Sequence, residues 1–266
     1  MTVIQKTYGQ TSYGQIHARV MPADGDEQHP PLVCLHPAPS SGLYFHTAMP
    51  MLNTGRRVIA PDYPGYGGSD ALPEPPSIAD YAQAILELVN NLDINVPVDV
   101  LGFHTGCLVG SEMAIQNPGA IRRLVLCDVP YFSADARKAL YEKMAAPTPI
   151  SAELESIRAA WTFNVETRVE DVPLTRTIEL LAEQLRAPGR DHFGFAAAFT
   201  YPSEERLASV TVDTTILATQ SGLHGPSLAA ADLIPGATPV DVTEISTAVF
   251  ESGAEAISKR INSALE

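Results

Sequence analysis

The order of apolar and polar positions changes rhythm along the chain. Residues 7–20 alternate polar and apolar side chains around Tyr13-Gly14, the signature of a hairpin. Four short apolar runs follow: Pro31-Leu32-Val33-Cys34-Leu35, Arg57-Val58-Ile59-Ala60, Val98-Asp99-Val100-Leu101 and Leu124-Val125-Leu126-Cys127. They are continuous, not alternating, which predicts strands covered on both faces and so a parallel sheet. Between them the spacing is helical. Ser77-Ile78-Ala79-Asp80 is a capping-box-like start, and Ile78, Tyr81, Ile85, Leu88, Val89 and Leu92 recur behind it at helix spacing. A second helix is predicted over about 105–116, stopped by Asn117-Pro118-Gly119. Strands alternating with helices of this length predict βαβ units.

From 133 to 206 the alternation ceases. Helical patterns at 134–144, 152–161, 174–185 and 192–199 follow one another, punctuated by Pro147, Pro149, Pro173 and Pro188. The sheet pattern resumes at Thr214-Thr215-Ile216-Leu217-Ala218, with a last strand near 239–243 and a closing helix over 254–265. The expectation is one α/β core, residues 1–132 and 207–266, carrying a helical cap insertion at 133–206.

Three segments carry a resemblance. His36-Pro37-Ala38-Pro39-Ser40-Ser41-Gly42 follows the first buried strand. Val58-Ile59-Ala60-Pro61-Asp62-Tyr63-Pro64-Gly65-Tyr66-Gly67-Gly68-Ser69-Asp70 is a strand followed by a glycine turn. Val100-Leu101-Gly102-Phe103-His104-Thr105-Gly106 is a strand entering a helix through a glycine-flanked residue. In this order the three resemble the oxyanion loop, the glycine turn and the nucleophile elbow of the α/β-hydrolase superfamily, over about residues 8–265. The resemblance implies an α/β-hydrolase fold: a mostly parallel sheet flanked by helices, with a helical cap.

The elbow of that family is Gly-x-Ser-x-Gly, a strained turn that presents its central side chain at the carboxyl edge of the sheet. Here the central residue is His104, a residue type better tolerated than most at positive φ. The family's acid normally follows the strand that resumes after the cap, and Ala218-Thr219-Gln220-Ser221-Gly222-Leu223-His224 has no carboxylate. Its histidine normally follows the last strand, and no His occurs after His224; Ser246 or Thr247 stands at that place. The resemblance therefore implies a hydrolase scaffold without the usual Ser-His-Asp set.

On this reading His104 is the candidate general base, since an ordinary imidazole titrates near neutrality. Asp128, where some members of the family keep their acid, is a candidate to orient it, and His224 a further catalytic candidate. The backbone N–H groups of Ala38 and Thr105 are candidates for an oxyanion hole; Pro37 and Pro39 have no N–H to offer. His36, Tyr44, Tyr131, Trp161, His192 and Phe193 are candidates for substrate binding. Each has a plain structural reading beside it: loop packing for His36, capping for Asp128, core packing for the aromatics.

Composition narrows the function. Among 266 residues, 17 Lys and Arg against 31 Asp and Glu give a formal net charge of −14. That balance argues against nucleic acid and anionic membranes as partners. No apolar run is long enough to span a bilayer, and the first residues lack a secretory h-region. Cys34, Cys107 and Cys127 lie in apolar segments without a CxxC pair, as expected of buried reduced thiols. A cytoplasmic protein is expected, either monomer or homodimer, with a small molecule as partner. The seven His residues show no metal-ligand spacing and no GxGxxG opens a helix, so neither metal nor nucleotide cofactor is expected. The expected function is cofactor-independent chemistry on a small apolar carbonyl compound. Ester, lactone or C–C bond hydrolysis fits, and so does proton-transfer or lyase chemistry through an enolate. The alternative is a non-catalytic ligand-binding or interaction protein on the same scaffold.

Overall fold

The computed structural model describes residues 3–147, 149–246 and 248–266, and of Ser156 the backbone alone. Eight strands form one sheet: β1 (Gln5–Thr11), β2 (Gly14–Met21), β3 (Leu32–Leu35), β4 (Val58–Pro61), β5 (Val98–Phe103), β6 (Ile121–Cys127), β7 (Asp213–Thr219) and β8 (Thr238–Val242). Their order is β1-β2-β4-β3-β5-β6-β7-β8. β2 runs antiparallel to β1 and β4, and the strands from β4 to β8 are mutually parallel. This is the expected mostly parallel sheet of the α/β-hydrolase fold. β3 has β4 on one side and β5 on the other, so the chain leaves the β3 edge in two directions. Such a switch point opens a crevice beyond the carboxyl ends of the strands.

The continuous apolar runs have a direct cause: both faces of the sheet are covered. Val33 and Leu35 point into one layer with α2 (Ile78–Asn91) and α3 (Thr105–Gln116), while Leu32 and Cys34 point into the other with α1 (Met49–Leu52) and α10 (Ala254–Leu265). α2 begins as its sequence predicts. The Ser77 hydroxyl oxygen accepts from the Asp80 N–H, and the Asp80 carboxylate accepts from the Ser77 N–H. Between β6 and β7 the chain forms α4 (Ala134–Met144), α5 (Glu155–Trp161), a π-turn at Thr162–Glu166, α6 (Leu174–Leu185), α7 (Phe193–Thr200) and α8 (Ser203–Leu207). The expected start of the second of these helices at 152 is three residues early. α1, α8 and α9 (His224–Ala231) had no counterpart in the sequence reading.

The helical segment is tied down at α6 and at its carboxyl end through buried polar groups. Glu112 of α3 accepts hydrogen bonds from the Tyr201 hydroxyl (2.9 Å) and from Arg206 Nε and Nη2 (3.0 and 2.7 Å). Arg176 of α6 donates to Glu251 Oε1 (2.9 Å) and to the Leu43 carbonyl oxygen (2.7 Å). Among the described residues no helix is long and apolar enough to cross a membrane.

Candidate functional site

The site grows from the bend between β5 and α3. His104 occupies it with φ 50° and ψ −118°. That φ is left-handed but the ψ lies outside the αL region that His tolerates, so the surroundings impose the conformation at a cost of about 1–3 kcal/mol. They do so through close packing. A Cβ on Gly106 would collide with the Leu35 carbonyl oxygen, and one on Gly102 would collide with backbone of Gly106 and Cys107. The His104 N–H donates to the Cys127 carbonyl (3.2 Å), and the His104 carbonyl accepts from the Cys107 N–H (2.8 Å). Only glycine at 102 and 106 lets the strand turn this sharply into the helix.

The bend presents the imidazole at the carboxyl edge of the sheet. The ring lies on Phe103 with centroids 4.0 Å apart, and Phe103 in turn stacks on Tyr44 at 5.5 Å. His104 Nε2 stands 4.0 Å from Asp128 Oδ2; 40% of the His104 side chain is open, and the Asp128 side chain is buried. At that separation the carboxylate would attract a protonated ring through charge, without a hydrogen bond. Burial lowers the His104 pKa, and the Asp128 charge opposes that effect. The net depression keeps the ring neutral at neutral pH.

Asp128 follows β6 directly and also has a left-handed φ, 55°. Its Oδ1 accepts from the Thr219 N–H (2.9 Å) and its Oδ2 from the Thr219 hydroxyl (2.6 Å). The next N–H, of Val129, donates to the buried Ser227 hydroxyl oxygen (2.8 Å). Thr219 ends β7, the place where the sequence was searched for a carboxylate. Motif reading missed it because a threonine carries no catalytic signature by itself.

Two candidate N–H groups lie at the same edge, after the adjacent parallel strands β3 and β5. Thr105 opens α3, where the helix dipole and unpaired amides favour negative charge. Neither the Thr105 N–H nor the Ala38 N–H meets a protein acceptor among the described residues. Ala38 precedes a cis peptide bond to Pro39, and its methyl lies against Gly194 of α7 so closely that a Cβ there would clash. The Tyr66 hydroxyl completes this junction. It accepts from the Gly194 N–H (2.8 Å) and donates to the Arg190 carbonyl (3.2 Å).

Not all of the remaining candidates gather at the bend. His36, expected to bind substrate, is fully buried beneath its loop. Its Nδ1 donates to the Pro37 carbonyl (2.9 Å) and its Nε2 accepts from the Tyr63 N–H (3.1 Å), so no ring nitrogen is left for a ligand. Burial pushes its pKa down to about 4. His224, expected beside His104, instead turns its Nε2 to Asp241 Oδ2 of β8 at 3.2 Å. Its position at the start of α9 faces it along the sheet edge. Trp161 of α5 is 41% exposed rather than part of an enclosed wall. Tyr131 packs against the core layer of α2 and α3. His192 and Phe193 lie edge to face at the start of α7, half-buried. Ser246 is exposed, and Thr247 lies outside the described residues. Cys34, Cys107 and Cys127 are buried free thiols, and no metal-binding cluster occurs among the described residues.

Comparison with known proteins supplies the family. The family model described as "alpha/beta hydrolase fold" matches residues 30–223. Haloalkane dehalogenase 1 of Mycobacterium tuberculosis (strain ATCC 25618 / H37Rv) is 34% identical over 105 residues, covering 37% of this chain and 34% of that protein. The chain thus spans about a third of the curated relatives it first matches. Among solved structures, an epoxide hydrolase from an endophytic Streptomyces superposes with a TM-score of 0.82 at 15% identity, covering 98% of this chain and 95% of the other. A hydrolase from Pseudomonas aeruginosa PA01 gives 0.77 at 21% identity, with 98% of each chain covered.

Proposed function

We propose, for a chain that belongs to the α/β-hydrolase fold family, that His104 replaces the usual elbow nucleophile and works as a general base on a small apolar carbonyl compound, without a cofactor. The observation that carries this reading is the bend itself. It supports the reading because His104 Nε2 lies 4.0 Å from the buried Asp128 carboxylate and His104 directly precedes the first N–H of α3. Residues 133–206 serve in this reading as the cap over the crevice.

The chemistry follows from the two ring nitrogens. Nε2 faces Asp128, so Nδ1 is the nitrogen left to take a proton. In hydrolysis, Nδ1 accepts a proton from water as the water oxygen bonds to the carbonyl carbon. The carbonyl oxygen becomes an oxyanion held by the Ala38 and Thr105 N–H groups. Collapse breaks the bond to the leaving group, which takes its proton back from the imidazolium. Asp128 stabilises that imidazolium while it exists. No acyl-enzyme forms in this reading, because the central position of the elbow bears an imidazole in place of a hydroxyl or thiol.

The test is turnover of p-nitrophenyl esters, lactones and β-diketones by the wild type and His104→Ala. Turnover of at least one class is expected, falling about 100-fold or more in the variant. The rate is expected to rise with pH through the depressed His104 value and to level off by neutrality. A serine-directed fluorophosphonate is expected to leave the elbow unlabelled. Undiminished turnover in His104→Ala would overturn the assignment, and silence toward every class with ligand-induced thermal stabilisation would favour a binding protein.

A further inference from the structure

We propose that Thr219 is the positioning residue of this site: by donating both its N–H and its hydroxyl to Asp128 it fixes the carboxylate and shares with His104 the one oxygen that faces the imidazole. The inference rests on the His104–Asp128 reading above and adds a residue to it. Its geometry is specific. The Thr219 N–H takes Oδ1 at 2.9 Å, and the hydroxyl takes Oδ2 at 2.6 Å. Oδ2 is also the atom 4.0 Å from His104 Nε2. One residue at the end of β7, through its N–H and its hydroxyl, therefore sets both the plane of the carboxylate and the charge left on the oxygen nearest the base.

The backbone around the carboxylate is fixed from other directions. The Asp128 N–H donates to the Leu217 carbonyl (3.0 Å), and the Val129 N–H donates to Ser227. Thr219 itself is fully buried. The titratable groups that feel the Asp128 charge are His104 at the bend, Cys107 on α3, Cys127 on β6 and Tyr44 before α1. Burial pushes both thiols and the phenol upward, so they stay neutral. The imidazole is thus the group whose charge answers to Oδ2.

A hydroxyl donating to Oδ2 draws negative charge from it and weakens its pull on an imidazolium. At 4.0 Å that pull is electrostatic, and its strength depends on how much charge the oxygen retains. Thr219 in this arrangement keeps His104 neutral in the resting site and ready to take a proton. It keeps the carboxylate turned so that the protonated ring finds it.

The experiment compares Thr219→Val and Thr219→Ala, which keep the N–H and lose the hydroxyl, with Thr219→Ser, which keeps both. The His104 ring is titrated by NMR in ¹⁵N-histidine-labelled, ligand-free protein, its signals assigned with His104→Gln, and folding is checked by circular dichroism. The apparent pKa of His104 is expected to rise by about half a unit or more in whichever hydroxyl-free variant folds, and to match the wild type in Thr219→Ser. The acid limb of any pH–rate profile is expected to move the same way. An unchanged or lowered His104 value without the hydroxyl would overturn the proposal, as would a Thr219→Ser shift equal to that of Thr219→Val. Because the titration needs no turnover, a protein inactive on every substrate would sink the proposed reaction and leave this result standing. A flat titration in an active enzyme would sink Thr219 alone.

Discussion

Asp62 and Asp128 are both fully buried, and each directly follows a parallel strand at the carboxyl edge of the sheet. Their partners could hardly differ more. Asp62 accepts from the Gly42 N–H (2.8 Å) and Arg19 (3.1 Å) on one oxygen, and from the Gly68 N–H and the His17 ring (both 2.7 Å) on the other. Burial alone would push its carboxyl up; the His17 hydrogen bond, the Arg19 charge and the Gly68 N–H outweigh that and hold it below the usual range. Asp128 has one neighbour's two donors, no guanidinium, and an open imidazole just out of hydrogen-bond reach. A saturated buried carboxylate anchors structure. One left short of donors holds charge in reserve for a group whose own charge changes.

The comparison is most easily broken at Asp62. Asp62→Asn removes the charge facing Arg19 and leaves a single side-chain oxygen for the Arg19, His17, Gly42 and Gly68 donors, and a loss of about 3–5 kcal/mol is expected. Urea unfolding measures it, and a loss of about 2 kcal/mol or less would put Asp62 in the same class as Asp128. Next in size is the acid response of the loop that Asp62 supports. His36 has its folded pKa at about 4 against an ordinary 6.5, so the unfolded chain takes up the extra proton first. Its contribution is complete above pH 6.5 and is lost as pH falls toward 4, by about 3 kcal/mol. Urea midpoints at pH 7 and 4.5 read this, and His36→Asn is expected to shrink the difference. The smallest stability effect is expected at Asp128. Asp128→Asn is expected to cost about 1–2 kcal/mol, while lowering turnover about 100-fold or more. Equal losses of stability at Asp62 and Asp128 would erase the distinction.

Much of the scaffold was legible because its causes are local. Buried parallel strands read as unbroken apolar runs, and α3 was predicted at 105–116, as it stands. The hairpin expected around Tyr13-Gly14 turns at Ser12-Tyr13 and needed only its own neighbourhood. The site was legible where backbone geometry alone decides it, at Gly102, His104 and Gly106. It was not legible where partners come from distant strands. Nothing in His17 or Arg19, two residues of an alternating hairpin strand, announces Asp62 more than forty positions later. Thr219 escaped for a related reason: its role depends on Asp128, 91 residues earlier. His224 was drawn toward the site by its place after β7, but α9 begins there and turns its ring to Asp241.

The contact between Gly194 and Ala38 has a mechanical corollary. The helical segment bears directly on the loop that carries one of the two candidate oxyanion donors, with the Tyr66 hydroxyl holding the Gly194 N–H and the Arg190 carbonyl on the helical side. A swing of α7 away from Ala38 would take that packing support from the loop. Under the proposed function, access and charge stabilisation are coupled at this contact, and redesigning the entrance for bulkier guests is expected to perturb the oxyanion donor as well.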